Sequence, residues 1–261
     1  MTEQVSFQTR SIWGKDSFHK RAFKKHSVER DVKSFCGNDT LLKIVETAKA
    51  VGSDPLRDSG FVSALFLCGG RVSETLLLKI SMFKIFKGCT PKLVMVSDMP
   101  LLKRYKKLSD FLDDKGKKHY KTERVNATRD FAFRIDEPCV KPFLEYLVVA
   151  LKNHYTWLFP SPYTSKPLTR KWAYQLITKI GSELNMELYP HWFRSQRASQ
   201  LASEYDFREA SLLEWFQWEK WETAKKYTKL GSLGLAKKMG VKFRKERGLK
   251  PSDLERLKVE T

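Results

Sequence analysis

Two arginines, a histidine, a tryptophan and a tyrosine stand in an order that suits attack on a phosphodiester: Arg71, His191, Arg194, Trp218 and Tyr227. Cleavage of a phosphate ester by a side chain, without a metal, has definite requirements. Two guanidiniums must clamp the nonbridging oxygens, because only arginine offers a fixed charge with paired donors. A proton must reach the departing 5′ oxygen, which suits lysine or histidine. A hydroxyl must attack and survive as a covalent ester, and a tyrosine with a pKa near ~10 can later leave again. His191 and Arg194 are three residues apart, so a helix puts them on one face. Trp218 adds an indole N–H donor.

Each of these residues also has an ordinary reading. Arg71 fits a helix surface, and His191 with Arg194 could pair with acids. Trp215, Trp218 and Trp221 recur every third position, as a core stripe would. Tyr227 lies beside Lys225, Lys226 and Lys229, which suits a nearby phosphate but equally a solvated face.

Composition narrows the partner. The chain has 261 residues, 41% hydrophobic and 13% aromatic, enough to bury a real core. Its 49 Lys and Arg against 30 Asp and Glu give a net charge of +19. That excess calls for a polyanion, double-stranded DNA or another nucleic acid first and an anionic membrane surface second. No apolar run approaches the ~18 residues needed to span a bilayer, and Met1 to Arg30 holds no apolar signal-peptide core. Cys36, Cys68, Cys89 and Cys139 are scattered, with neither zinc spacing nor a disulfide pattern. Reduced thiols and no membrane segment predict an intracellular, cytoplasmic, DNA-associated protein with no metal and no cofactor.

The elements that must position these residues are mainly helical. A helix is predicted from Asp39, which can cap it, and a second from Pro55 through the apolar run Phe61–Leu67 to the stop at Gly69-Gly70. Arg71 starts a short helix over Val72–Leu78, with Glu74 one turn on. Lys92–Val96 and Arg129–Ile135 read as strands, and the charge-dense Lys106–Thr128 between them as a mobile excursion. Asp136-Glu-Pro138 opens a helix whose buried face is Phe143, Leu144, Leu147 and Leu151. Leu158–Pro162 is a rigid loop, Thr169 caps the next helix, and Pro190 leads into one from His191 to Ser203. Asp206-x-x-Glu209 has the form of a capping box, and a last helix from Lys220 carries Tyr227. The fold class is therefore mainly α with a small antiparallel sheet.

Several segments together resemble the tyrosine recombinases, or phage integrases. Phe66-Leu-Cys-Gly-Gly-Arg-Val-Ser-Glu-Thr-Leu-Leu-Leu-Lys79 is similar to the family's first arginine box, and Pro190-His191-Trp-Phe-Arg194 to its H-x-x-R box. Leu158-Phe-Pro160 matches the L-F-P segment before that box. Trp218 stands where the family has His or Trp, and Tyr227, nine positions on, where it has the nucleophile. The resemblance spans residues 38–231. It implies a tyrosine recombinase catalytic domain in which Arg71 and Arg194, with His191 and Trp218, hold the phosphate while Tyr227 forms a 3′-phosphotyrosine ester. It also implies a general-acid lysine in a β-hairpin turn. Lys103, 32 residues past Arg71, fits best; Lys106 and Lys107 are rivals, and Lys117, Lys118 and Lys121 lie further off. Cys68, Ser195 and Gln217 depart from the usual Thr, His and Gly.

The expected organisation is a basic arm over residues 1–37, a catalytic domain over 38–231 and a basic tail over 232–261, docking on a neighbouring subunit after the glycines Gly231 and Gly234. Family members also carry a helical N-terminal domain that clamps the far side of the DNA, and only a short arm stands in its place here. Recognition of a site without help is therefore in question. The resemblance further implies a homo-tetramer on paired DNA sites and a role in integrating or excising a mobile element, including those of archaea. Two other readings remain open: a catalytically silent DNA-binding relative and a type IB topoisomerase.

Overall fold

The computed structural model describes residues 35–228, apart from Asp113, Lys115 and Gly116. The expectations for the basic arm up to Ser34, for the tail from Lys229 and for its two glycines lie outside the described residues. Eight α-helices and five strands follow in order among them: α1 (Asn38–Val51), α2 (Pro55–Cys68), α3 (Val72–Leu76), β1 (Phe83–Phe86), β2 (Leu93–Leu101), β3 (Tyr105–Leu112), β4 (Lys118–Arg124), β5 (Ala127–Arg134), α4 (Val140–Lys152), α5 (Arg170–Leu184), α6 (Pro190–Glu204), α7 (Glu209–Phe216) and α8 (Trp221–Thr228). The mainly helical class with a small antiparallel sheet is what the sequence predicted.

Helix α2 is the axis of the core. It is buried from Arg57 to Cys68, because its run Phe61–Cys68 is apolar on every face and must be covered on every side. Helices α1, α4 and α6 pack around it. Asp54 caps its start by accepting the Arg57 N–H at 3.0 Å, with Pro55 in the first turn where no N–H is needed. Thr169 likewise caps α5 through the Trp172 N–H. The first helix is different: Gly37, not Asp39, is its cap, and no side chain bonds there.

Strands β1, β2 and β5 form an antiparallel sheet with β2 in the middle. The alternation in β5 turns Arg129, Phe131 and Phe133 inward. The charged stretch beyond it is not a loose excursion: β3 and β4 pair antiparallel from Tyr105–Arg124 to Leu112–Lys118 as a hairpin of their own. Strand β1, absent from the sequence reading, is an exposed edge whose pattern is not alternating.

Helix α4 begins two residues later than Pro138 suggests, at Val140. Glu137 is not in its first turn but buried, paired with the Arg197 guanidinium on α6. Leu151 is half exposed, while Tyr146 and Ala150 join Phe143 and Leu147 on the buried face. Asp206 does not cap α7 either. It takes a left-handed conformation, and Arg208 occupies the cap position.

The Glu137–Arg197 pair ties the sheet's exit to the helix bearing His191 and Arg194, since Glu137 also accepts the Arg134 N–H at 3.1 Å. Removing one partner of a buried ion pair leaves a charge with no counter-ion. Glu137→Ala is expected to cost about 3–5 kcal/mol, a fall in Tm on the order of 10 °C for a domain of this size. Thermal unfolding followed by circular dichroism checks this, and an unchanged Tm would show the pair to be dispensable.

Candidate active site

The site is built where two helix ends meet. Helix α2 stops at Gly69, which adopts φ 53° and closes the helix through its own N–H on the Phe66 carbonyl. A Cβ at Gly69 would lie 2.8 Å from the Phe216 ring, and one at Gly70 would lie 2.1 Å from the Met99 methyl. Glycine at position 69 lets the end of α2 touch the end of α7 this closely. The last carbonyls of both helices carry partial negative charge and have no partner within their helix. Two buried arginines satisfy them. Arg194 donates to the Gly69 carbonyl at 2.6 Å and to the Phe216 carbonyl at 3.3 Å. Arg129 donates to the Trp215 carbonyl at 2.6 Å and to that of Cys68. Aromatic faces cover both cations: Arg194 lies 4.8 Å from Phe216 and 5.6 Å from Trp218, and Arg129 lies 4.5 Å from Phe131.

Arg71 stands one step beyond, at the start of α3. Glu74, fully buried, accepts its backbone N–H at 2.8 Å and its guanidinium at 2.7 Å. The same carboxylate accepts the Leu102 N–H at 3.2 Å, which draws the turn between β2 and β3 against α3. Arg71, Lys103 and His191 consequently line one open cleft of about 440 Å³, together with Ser73, Arg170 and Tyr174. A larger cleft of about 790 Å³ beside α5 shares Arg170 and Tyr174 but none of the candidate residues.

The charge balance of this corner is uneven. Burial above all, then the neighbouring Arg129 and Arg71, pull the Arg194 guanidinium down to about 9. Burial pulls Arg129 down to about 10, with Arg71 adding to the effect. Glu74 is the carboxylate that counters both. Three guanidiniums thus face one another with one negative partner, and an anion placed among them would relieve the repulsion. Cys68 does not serve, because burial pushes its thiol up to about 12.

Tyr227 reaches this corner from α8, a short helix with one buried residue, Ala224. Its ring and its hydroxyl are both held. Its ring stacks on Trp218 at 5.4 Å and 18°, and Trp218 in turn stacks on Phe216 at 4.5 Å. Its hydroxyl lies 3.3 Å from the Ser195 hydroxyl. Next to it, Thr228 donates to Glu209 at 2.5 Å, a bond that holds the Glu209 carboxyl below the usual range.

The structure therefore places all six predicted residues around one corner: Arg194 on the floor, Trp218 and Tyr227 on one wall, Arg71, Lys103 and His191 at the mouth. Of the rival lysines, Lys106, Lys107 and Lys118 lie on the β3–β4 hairpin with side chains outside the described residues, and Lys117 and Lys121 are exposed on it. The three tryptophans are not one core stripe, since Trp215 is buried, Trp218 stacks in the site and Trp221 is half exposed. Arg129, Arg170 and the Ser195 contact were missed. Arg129 did carry a signal: it shares the inward parity of Phe131 and Phe133, and a charge in that register needs a partner. Among the described residues no group of His, Cys, Asp or Glu could hold a metal ion, and no helix is long and apolar enough to cross a membrane.

Comparison with solved structures gives the fold a context. The XerH site-specific recombinase bound to its difH substrate, in a pre-cleavage complex, matches 81% of this chain and 55% of its own with a TM-score of 0.53 and 16% identity. Its post-cleavage complex on palindromic difH matches 81% and 54%, with 0.54 and 14%. The XerA recombinase matches 79% and 64%, with 0.50 and 19%. The chain thus spans 54–64% of the length of these proteins. No curated protein sequence matches. The model of the phage integrase family covers residues 35–232, and the chain belongs to that family.

Proposed function

We propose that this chain cleaves and rejoins DNA at specific sites through a 3′-phosphotyrosine intermediate. The observation that carries the reading is the unbalanced cluster of Arg71, Arg129 and Arg194 within reach of the Tyr227 wall. A phosphodiester supplies the missing negative charge, and the guanidiniums stabilise the further charge that develops as phosphorus becomes five-coordinate. The Tyr227 hydroxyl gives its proton to solvent as its oxygen bonds to phosphorus, and the bond to the 5′ oxygen breaks. Lys103, exposed at the mouth, gives its proton to that oxygen. The ester keeps the energy of the broken bond, so a 5′-hydroxyl can attack it and rejoin the strand without ATP.

Arg71 binds through guanidinium N–H groups that its bond to Glu74 leaves free. Arg194, buried beneath, has two donors on carbonyls, and its guanidinium holds further N–H groups for a phosphate oxygen. His191 and the Trp218 indole add donors. The net charge of +19 and the DNA-bound state of XerH favour duplex DNA as the substrate. Two duplex sites held by a tetramer, in the service of a mobile element, are the assembly the family implies.

A nicked duplex that loses its 5′-hydroxyl fragment tests the reading, because the covalent adduct is then trapped. An adduct on a denaturing gel, and strand transfer between two sites, are expected. No adduct would leave a silent DNA-binding protein; an adduct with supercoil relaxation but no exchange would point to a topoisomerase. Lys103→Ala is expected to cut adduct formation by at least ~10² and to recover on DNA with a bridging 5′-phosphorothiolate, whose thiolate leaves unprotonated. Recovery of Lys106→Ala or Lys107→Ala instead would reassign the acid.

A further inference from the structure

We infer that the ion pair between Arg104 and Glu219 is a clasp across the mouth of the site that aims Lys103 and ties it to the nucleophile's loop. The inference rests on the proposed strand-transfer reading and adds two positioning residues to it.

The argument starts from the turn. Strand β2 is paired up to Leu101, opposite Ala127, and β3 begins at Tyr105, opposite Arg124. The two pairs belong to different sheets, so Leu102, Lys103 and Arg104 join them as a connector outside both. Lys103 is exposed, and four rotatable bonds separate its ammonium from the backbone. Its aim depends on its two neighbours. Leu102 is fixed on one side, its N–H donated to the buried Glu74 that also holds Arg71. Arg104 is fixed on the other side of the mouth, its guanidinium on the Glu219 carboxylate 115 positions along the chain. Its carbonyl also accepts the Val125 N–H at 2.9 Å.

Glu219 follows Trp218 directly, and Trp218 stacks on Tyr227. The loop bearing Glu219 leads into α8 at Trp221. The turn with the proton donor is therefore anchored to the arginine box at one end and to the nucleophile's loop at the other. When the Trp218 loop shifts, Arg104 shifts with it. Acid and nucleophile then come into position together, which avoids attack on a phosphate whose leaving group cannot be protonated. Arg104 is mostly covered, its side chain 21% exposed, while Glu219 is 70% exposed. The pair is a screened contact of modest strength.

The test uses the full chain, the trapped duplex and its 5′-phosphorothiolate counterpart. Arg104→Gln and Glu219→Gln are each expected to slow adduct formation about fivefold, the rate equivalent of an exposed ion pair. The double variant is expected to be no slower than either single one. Both losses are expected to vanish on the phosphorothiolate, where the aim of Lys103 no longer matters. A defect of equal size on both substrates, or losses that multiply in the double variant, would overturn the clasp. Recovery of Lys103→Ala without recovery of Arg104→Gln overturns the clasp alone. No recovery of Lys103→Ala removes the acid assignment and the clasp with it.

Discussion

Tyr227→Phe is expected to abolish the covalent protein–DNA adduct while DNA affinity stays within about threefold (~0.7 kcal/mol). The substitution deletes one oxygen. The stack of the ring on Trp218 remains, so α8 keeps its main attachment to the site. The lost contact is a 3.3 Å hydrogen bond with Ser195, in the range of about 1 kcal/mol or less for a half-buried hydroxyl pair. The arginines of the proposed clamp are untouched. Gel shift on an intact site measures the affinity, and a denaturing gel after incubation with the nicked duplex measures the adduct. An undiminished adduct in the Phe variant would remove Tyr227 as the nucleophile and with it the proposed chemistry.

Arg71→Ala is expected to slow adduct formation by at least ~10², the loss typical of one preorganised charge donor. Its side chain is 36% exposed at the cleft, so little packing is lost, and Glu74 keeps the Leu102 and Arg71 backbone N–H groups as partners. Arg71→Lys recovers little, because one ammonium cannot reproduce the guanidinium fork between Glu74 and a phosphate oxygen. Arg194→Ala is expected to match the rate loss and also to destabilise the fold. It strands the Gly69 and Phe216 carbonyls that Arg194 now satisfies, at about 1–3 kcal/mol for each buried unpaired group. Single-turnover adduct formation set beside thermal unfolding separates the two effects. Near-normal cleavage by Arg71→Ala would remove it from the clamp.

What the sequence disclosed was whatever is local or stands in an ordered pattern. The Gly69-Gly70 stop, the helix start at Pro55, the Thr169 cap and the helix carrying His191 and Arg194 all rest on contacts within a few residues. The six candidate residues could be named because their order matches a family pattern. What stayed hidden is non-local. Nothing near Glu137 announces Arg197, 60 positions away, so Pro138 read as a helix start. Charge density in Lys106–Thr128 suggested a loose segment, but the stretch pairs with itself as an antiparallel hairpin whose register runs from Tyr105–Arg124 to Leu112–Lys118. Ser195 looked like a mere departure from the family's histidine, and only its distance to Tyr227 gives it a place. Arg129 is a different case: its parity with Phe131 and Phe133 was visible, yet its buried partners, the Trp215 and Cys68 carbonyls, lie far off in sequence.

The meeting of two helix ends over Arg129 and Arg194 has a consequence for the bare protein. These cations serve as mortar, since they close carbonyls that no other group in the corner reaches, and they cannot be thinned out to ease their mutual repulsion. The interactions that hold α2 to α7 therefore also keep like charges together. Under the proposed chemistry, a bound phosphate satisfies the scaffold as well as the reaction.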